Sequence, residues 1–484
     1  MERPFDRNDL LRALGPLPLD AGEAAALAEA ILSPRPPAIR LNTLGRPVTA
    51  EAVPFTAAAV PWFDGPAWFC APEARPAGHA LFAAGAYYVQ DAASLLPVTL
   101  LDPKPGDLVC DLCASPGGKT TAILERLRGA GWLLANEAVR ARVPPLLLNL
   151  ARHGSTRWVQ TCLDPAELAS AAGPVFDAVL VDAPCTAQSL VARGRQTGRA
   201  FDPRLIAHSA ARQSRILDAA VRLLRPGGRL VYSTCTFAWD ENEGQITALL
   251  SRFPQLRPDP VASLSEYESP AGTAPACYRL WPHRHRCAGG FAARLVAGQA
   301  DPGNPSDAPT GNERGRRNTG GRPECVQVGH SNRTDSADAH RRRSPRNRQR
   351  ASHAGLAALP ADWGRWLEPV SINARRDRVF AWPAGLPPGF AGLAEAGPEL
   401  AFLKGQTWFP AYALAMRRDG AFEPRASVRI GEHDLRRFLA GENVPGTAEG
   451  WAVATYRNLP LGWVKGDGRT LKNHLPRPAR LLLA

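Results

Sequence analysis

Between residues 107 and 235 the chain repeats one pattern, a short and almost continuous apolar run followed by a longer mixed stretch of glycines, polar residues and helix formers. The runs are "DLVCDLC", "GWLLANE", "RWVQTCLD", "FDAVLVDAP" and "GGRLVYSTC". Runs this short and this apolar read as strands buried on both faces. Their alternation with helical patterns predicts an α/β fold, a parallel sheet with helices on both sides. Ligands of such sheets bind beyond the carboxyl ends of the strands. Each run here ends in a polar or reactive side chain, namely Asp111, Glu137, Asp164, Asp182 and Cys235, so the sequence gathers its chemistry along one edge.

Composition then divides the chain. Residues 299–355, including "DPGNPSDAPTGNERGRRNTGG" and "HRRRSPRNRQRASH", hold Pro, Gly, Ser, Asn and Arg and almost no large apolar side chains. Such a segment does not repay the entropy of ordering, so a disordered basic linker is expected there. It separates an N-terminal region, 1–80, and a central domain, 81–298, from a C-terminal region, 356–484. The formal charge of +13 favours a polyanionic partner, nucleic acid first, although a GC-rich genome would inflate arginine in the same way. No stretch approaches the ~20 apolar residues of a membrane span, and "MERPFDRNDLLRALG" has no apolar core of signal-peptide length. A cytoplasmic protein with no membrane partner is the expectation. Nine scattered cysteines fit a reducing compartment. The lone CxxC, Cys110 and Cys113, straddles a strand end and is not read as half a zinc site, so no metal is expected.

The sharpest local signal is "VCDLCASPGGKTTAIL", residues 109 to 124. An apolar strand breaks at Cys113, turns through Pro116, Gly117 and Gly118, and enters a helical run near Lys119. Small residues let a ligand approach the backbone, and amides at a helix start offer donors to an anionic group. The spacing is neither the G-x-G-x-x-G of a dinucleotide fold nor a P-loop, whose first glycine is missing. Glu137, at the end of the second run, stands where an acid commonly holds ribose hydroxyls. An adenosine-bearing ligand is implied; capping of the next helix accounts for Glu137 as well.

"DLCASPGGKT", "VDAPCTAQSL", "LLRPGGRLVYSTCTFAWDENEG" and "YVQDAASLLPV" resemble, in order, the motifs of the RNA cytosine-5 methyltransferases of the NOL1/NOP2/Sun type, over roughly residues 35 to 295. "WFPAYALAM" and "LGWVKGDGRTLKNHLPRPARLL" resemble the tail of the bacterial ribosomal RNA small-subunit methyltransferase F group. The resemblance implies a Rossmann-like class I methyltransferase domain behind a small N-terminal α/β RNA-contacting region, with a β-rich PUA-like RNA-binding module at the C-terminus. It implies S-adenosyl-L-methionine as cofactor and RNA as partner, 16S rRNA or the small ribosomal subunit, with tRNA or 23S rRNA as the alternative substrate and a noncatalytic ribosome-assembly protein as the alternative class. A monomer is expected.

Cytosine carbon 5 is a poor nucleophile, and a thiolate adding at carbon 6 turns it into an enamine-like one. By resemblance Cys235, in "STCT", is the attacking thiol and Cys185, in "APC", assists breakdown of the adduct. Asp182 lies between methyl donor and base and shares a proton at the ring's N3 edge; Lys119 assists near the cytosine, or is a solvated helix-start cation. The loop Cys113, Ala114, Ser115, Pro116, Gly117, Gly118 and Lys119 would hold the methionine portion, Glu137 the ribose and Asp164 the adenine edge. Thr186 and Ala187 depart from the family's serine-glycine pair after the cysteine. The acids of "DENE" read as caps of the following helix. Arg40 and Asn42 in "PPAIRLNTL", with Trp463, Lys465 and Lys472 in the tail, read as candidate RNA contacts; a strand packed on a core explains Ile39 and Leu41 equally well, and a small β-rich core accounts for Trp463 nearly as simply.

Overall fold

A computed structural model of the chain describes residues 7–45, 47–270, 276–299, 360, 362–366, 370–375, 377–383 and 386–482. The segment read as a basic linker lies outside the described residues from 300 onward.

Four short strands, β1 (Ala38–Leu41), β2 (Thr56–Ala59), β3 (Ala67–Cys70) and β4 (Tyr87–Gln90), form an N-terminal sheet in the order β2-β3-β1-β4. Its last strand lies in the motif "YVQDAASLLPV", so this small sheet runs directly into the central domain. There β5 (Leu108–Asp111), β6 (Trp132–Asn136), β7 (Trp158–Thr161), β8 (Phe176–Asp182) and β9 (Leu224–Thr234) pair in parallel, one for each predicted run. β10 (Leu256–Pro258), β11 (Cys277–Leu280) and β12 (Gly290–Ala297) complete an eight-stranded sheet in the order β10-β12-β9-β8-β5-β6-β7, with β11 on β12. β12 joins β9 antiparallel. The strand order reverses at β5, which has β6 on one side and β8 on the other, and that is the crevice where such sheets take ligands.

The apolar runs are continuous because both faces of the sheet are covered. In β8, Ala178 and Leu180 enter one core and Val179 and Val181 the other, all fully buried. Burying each of these larger side chains contributes about 1.5–3 kcal/mol. Helices Gly118–Arg126 and Val143–His153 close the first face, and Pro165–Ala172, Pro203–Leu223 and Glu243–Arg252 the second.

The C-terminal region is β-rich, with a four-stranded antiparallel sheet over residues 370–410 and a five-stranded one built around Glu449–Tyr456 and Leu459–Asp467. It folds back on the rest of the chain. Phe380, Trp382 and Phe390 enter the core under the second sheet face, and Phe438 and Leu461 pack with Ile39 and Tyr87 of the N-terminal sheet.

That packing corrects three expected RNA contacts. Arg40 is 0% exposed, ion-paired to Glu125 and bonded to Thr121 Oγ1 at 2.7 Å. Asn42 is buried and donates to the Gly85 and His153 carbonyls at 3.0 and 2.8 Å. Trp463 is buried against Trp451, its indole donating to the Ala411 carbonyl at 2.9 Å. All three side chains face the interior because partners from remote segments satisfy them there. Lys465 and Lys472 are exposed and pair directly across neighbouring strands.

Candidate active site

The chain leaves β5 at Asp111 and reaches its helix through a loop pinned on several sides. Ser115 Oγ donates to the Arg142 carbonyl at 2.8 Å while the Arg142 guanidinium donates to the Ser115 carbonyl at 2.7 Å. Asn149 donates to the Pro116 carbonyl at 2.8 Å. Gly117 sits at φ +108° with Leu146 so close that a Cβ would meet it at 3.2 Å, which accounts for the glycine at the turn. Lys119 lies in the first turn of the helix that follows and points back over the strand ends.

Glu137 follows β6 and is buried. One carboxylate oxygen accepts from the Val139 amide at 3.0 Å; the other has no hydrogen-bond partner and lies 3.6 Å from the Arg142 guanidinium. A buried carboxylate oxygen left without a donor suits a ligand bearing hydroxyl groups, as a ribose does. Asp164 follows β7, is exposed, and caps helix Pro165–Ala172 by accepting from the Ala166 amide at 2.8 Å. Cys113 lies half-buried in the loop, its thiol pushed well up by burial and by Asp111. Asp111 itself is raised to about 7, burial outweighing the hydrogen bond from Thr120, and one of its oxygens is without a partner. From the sequence it reads only as a strand end.

A cleft of about 400 Å³ opens where β5, β8 and β9 end, lined by Ser115, Lys119, Arg142, Asp182, Cys185 and Cys235 among others. Asp91, from "YVQDAASLLPV", closes one wall by accepting from the Ala288 amide at 3.1 Å and from Arg193 at 2.8 Å. Lys119 Nζ lies 2.7 Å from Asp182, whose other oxygen accepts from Ser233 Oγ at 2.8 Å. Burial alone would lower the Lys119 ammonium, but the charge and hydrogen bond of Asp182 outweigh it and the net shift is upward. Lys119 is thus a paired cation inside the cleft, not a solvated one.

The Cys185 and Cys235 sulfurs stand 3.4 Å apart. Their acidities move in opposite directions. The hydrogen bond from Cys185 lowers Cys235 below the usual thiol range against burial and the charge of Asp182, with Lys119 adding to the lowering. Cys185 is driven well up by that same bond, by burial and by Glu241. The bond between the sulfurs thus favours the thiolate on Cys235 and the thiol on Cys185. A thiolate is the nucleophilic form of cysteine.

The loop carrying Cys185 departs from the expected serine-glycine pair at a measurable place. Ala187 adopts φ +57°, the left-handed region, which costs an alanine roughly 1–2 kcal/mol. Thr186 offsets this with a hydroxyl 2.5 Å from Glu241 and 2.9 Å from Thr236 Oγ1. The acids of "DENE" are corrected here. Helix Glu243–Arg252 has Asn242 at its N-cap with no side-chain cap bond. Glu241 is 0% exposed beneath the Cys185 loop, and Glu243 is buried against Arg279 at 2.6 Å. Tyr232 and Phe237, both buried and close before Glu241 in sequence, are the one local signal of an acid drawn into the core.

Comparison with known proteins agrees with this architecture. The family model described as "16S rRNA methyltransferase RsmB/F" matches residues 98–296, the "N-terminal domain of 16S rRNA methyltransferase RsmF" matches 17–92, and the "Methyltransferase RsmF PUA domain" matches 425–481. The ribosomal RNA small subunit methyltransferase F of Klebsiella pneumoniae is 31% identical over 432 residues, 86% of this chain and 83% of that one. The chain belongs to the ribosomal RNA small subunit methyltransferase F family. The Escherichia coli K12 member is 30% identical over 461 residues, covering 91% of this chain and 89% of its own. Among solved structures, a methyltransferase homologue from Pyrococcus horikoshii is 29% identical with a TM-score of 0.50, covering 60% of this chain and 98% of its own. Methyltransferase F membership makes the chain an enzyme that uses S-adenosyl-L-methionine, as the resemblance of its motifs implied. The α/β domain and β-rich C-terminal module are the architecture expected of it.

Proposed function

We propose that the chain is a monomeric, cytoplasmic enzyme that methylates carbon 5 of a cytosine in 16S rRNA, with Cys235 as the attacking thiol and Cys185 assisting release. One observation carries this reading: two sulfurs 3.4 Å apart, lining one cleft with a Lys119–Asp182 pair. Glu137, with its unpartnered oxygen, would hold the ribose of S-adenosylmethionine, the loop Cys113–Lys119 its methionine portion and Asp164 its adenine edge. When bound, that group supplies an electrophilic methyl. The target base must leave its helix to expose both ring faces to the cleft. Cys235 adds to carbon 6, and the Lys119–Asp182 pair holds a proton at the N3 edge as charge moves into the ring. After methylation the C5–H bond breaks with its proton passing to water, its electron pair forms the C5–C6 double bond, and the C6–S bond breaks. Cys235 leaves as a thiolate and accepts the Cys185 S–H once more. Lys465 and Lys472 supply phosphate contacts on the tail.

The test is transfer of a labelled methyl group to 16S rRNA, naked and within the small subunit, with the base mapped by bisulfite sequencing. Label at one or more 16S cytosines is expected. Label confined to tRNA or 23S rRNA would overturn the substrate, and no label in any RNA the activity. Light scattering should return the mass of one chain, 52.0 kDa.

A further inference from the structure

Glu241 lies outside the cleft lining, and none of the roles proposed above uses it. Its carboxylate is nevertheless the junction of the two thiol-bearing loops. It accepts from the Thr186 amide at 3.0 Å, from the Thr186 hydroxyl at 2.5 Å and from Gln213 Nε2 at 2.8 Å. Gln213 also donates to the Pro184 carbonyl at 3.2 Å, so both residues flanking Cys185 are tied to one buried acid. On the other side, the Thr186 hydroxyl meets Thr236 at 2.9 Å, the residue after Cys235, and the Ser189 amide donates to the Cys235 carbonyl at 3.1 Å. The Glu241 carbonyl accepts from Tyr232 on β9 at 2.7 Å, anchoring the acid to the strand that delivers Cys235. The bonds at Glu241 and between the two threonines are buried, where an unpaired partner would cost free energy, so the arrangement is held as a unit.

Resting on the two-thiol reading above, we infer that Glu241 is a positioning residue for adduct release: it holds the Cys185 S–H against the Cys235 sulfur, so that the leaving thiolate has a donor at the moment the C6–S bond breaks. The charge of Glu241 acts in the same sense by favouring the protonated form of Cys185. Attack by Cys235 draws on Lys119 and on access to the base as well as on the bond from Cys185, so displacing Cys185 removes only part of its support. Release depends on where Cys185 sits, and a displacement of about 1 Å at such a contact lowers a rate by up to about 10²-fold.

The experiment compares Glu241→Gln with the wild-type chain in single-turnover methyl transfer, in multiple turnover and on denaturing gels that retain a covalent protein–RNA adduct. Glutamine keeps the shape but replaces one acceptor with a donor. The expected result is single-turnover transfer within a few-fold of wild type, turnover lowered by up to about 10²-fold, and accumulation of the adduct. Wild-type turnover without adduct overturns the inference, and so does an equal loss of single and multiple turnover, which is what a purely structural acid would give. Should Glu241→Gln fail to fold, Thr186→Val is read by the same criteria, since it removes the hydroxyl bridge and keeps the amide bond. Cys185→Ala is the control. Adduct with Cys185→Ala but none with the Glu241 and Thr186 variants refutes the inference alone; no adduct with Cys185→Ala refutes the two-thiol reading, and the inference falls with it.

Discussion

The ends of β8 and β9 are near copies. Each strand is buried on both faces, each runs out at the same edge of the sheet, and each passes into a loop bearing a half-buried cysteine. The two thiols still differ in acidity, one held below the usual range and the other far above it. What separates them is first the bond between the sulfurs, which lowers Cys235 and raises Cys185, with Lys119 adding to the lowering of Cys235 and Glu241 to the raising of Cys185. In the proposed reaction, two chemically identical side chains are divided into nucleophile and donor by their mutual bond and by neighbours that arrive from elsewhere in the chain.

Removing the Cys235 thiol tests that division hardest. Cys235→Ala is expected to lower methyl transfer by about 10⁴-fold or more and to form no covalent adduct, read by labelled-methyl incorporation and denaturing gels. Neutralising the cation comes next. Lys119→Met should cost about 10²–10³-fold in kcat/KM, and its pH–rate profile should move. Cys235 is active as the thiolate, so rate rises with pH through its pKa; Lys119 lowers that pKa, so its loss shifts the acidic limb upward. An unmoved limb would mean that Lys119 does not act on the thiol. Glu137 does not line the cleft that holds both sulfurs, and Glu137→Gln should raise the KM for S-adenosylmethionine about tenfold with kcat nearly unchanged, measured by initial rates across cofactor concentration. The smallest effect belongs to the Cys185 loop. Ala187→Gly relieves the left-handed strain and should stabilise the fold by roughly 1 kcal/mol, read by denaturant unfolding.

Much of this was legible in the chain because it is local. Strands β5 to β9 announce themselves as apolar runs, their ends carry the reactive side chains, and the turn at Gly117 is written in three adjacent small residues. What was not legible depends on partners far away in sequence. Arg40 looks like a surface cation until Glu125 and Thr121, from a helix some eighty residues on, meet it inside. Asn42 and Trp463 are satisfied by carbonyls of His153 and Ala411 in the same way. Glu241 stands in a run of acids whose composition signals a helix start, and only the approach of Thr186 and Gln213 makes it a buried acceptor. Residue type reports what a side chain can bond to, and tertiary packing decides where the bond is made.

The way the tail meets β7 bears on how the molecule survives in solution. β7 is the last strand of the central sheet, and one side of it would otherwise offer unpaired backbone groups. The Gln160 amide donates to the Ala396 carbonyl at 2.8 Å, the Glu395 amide donates to the Gln160 carbonyl at 2.7 Å, and Glu395 clasps Arg140 beside them. The C-terminal region therefore works as a selvedge, finishing a margin that another chain's strand could otherwise extend into an aggregate.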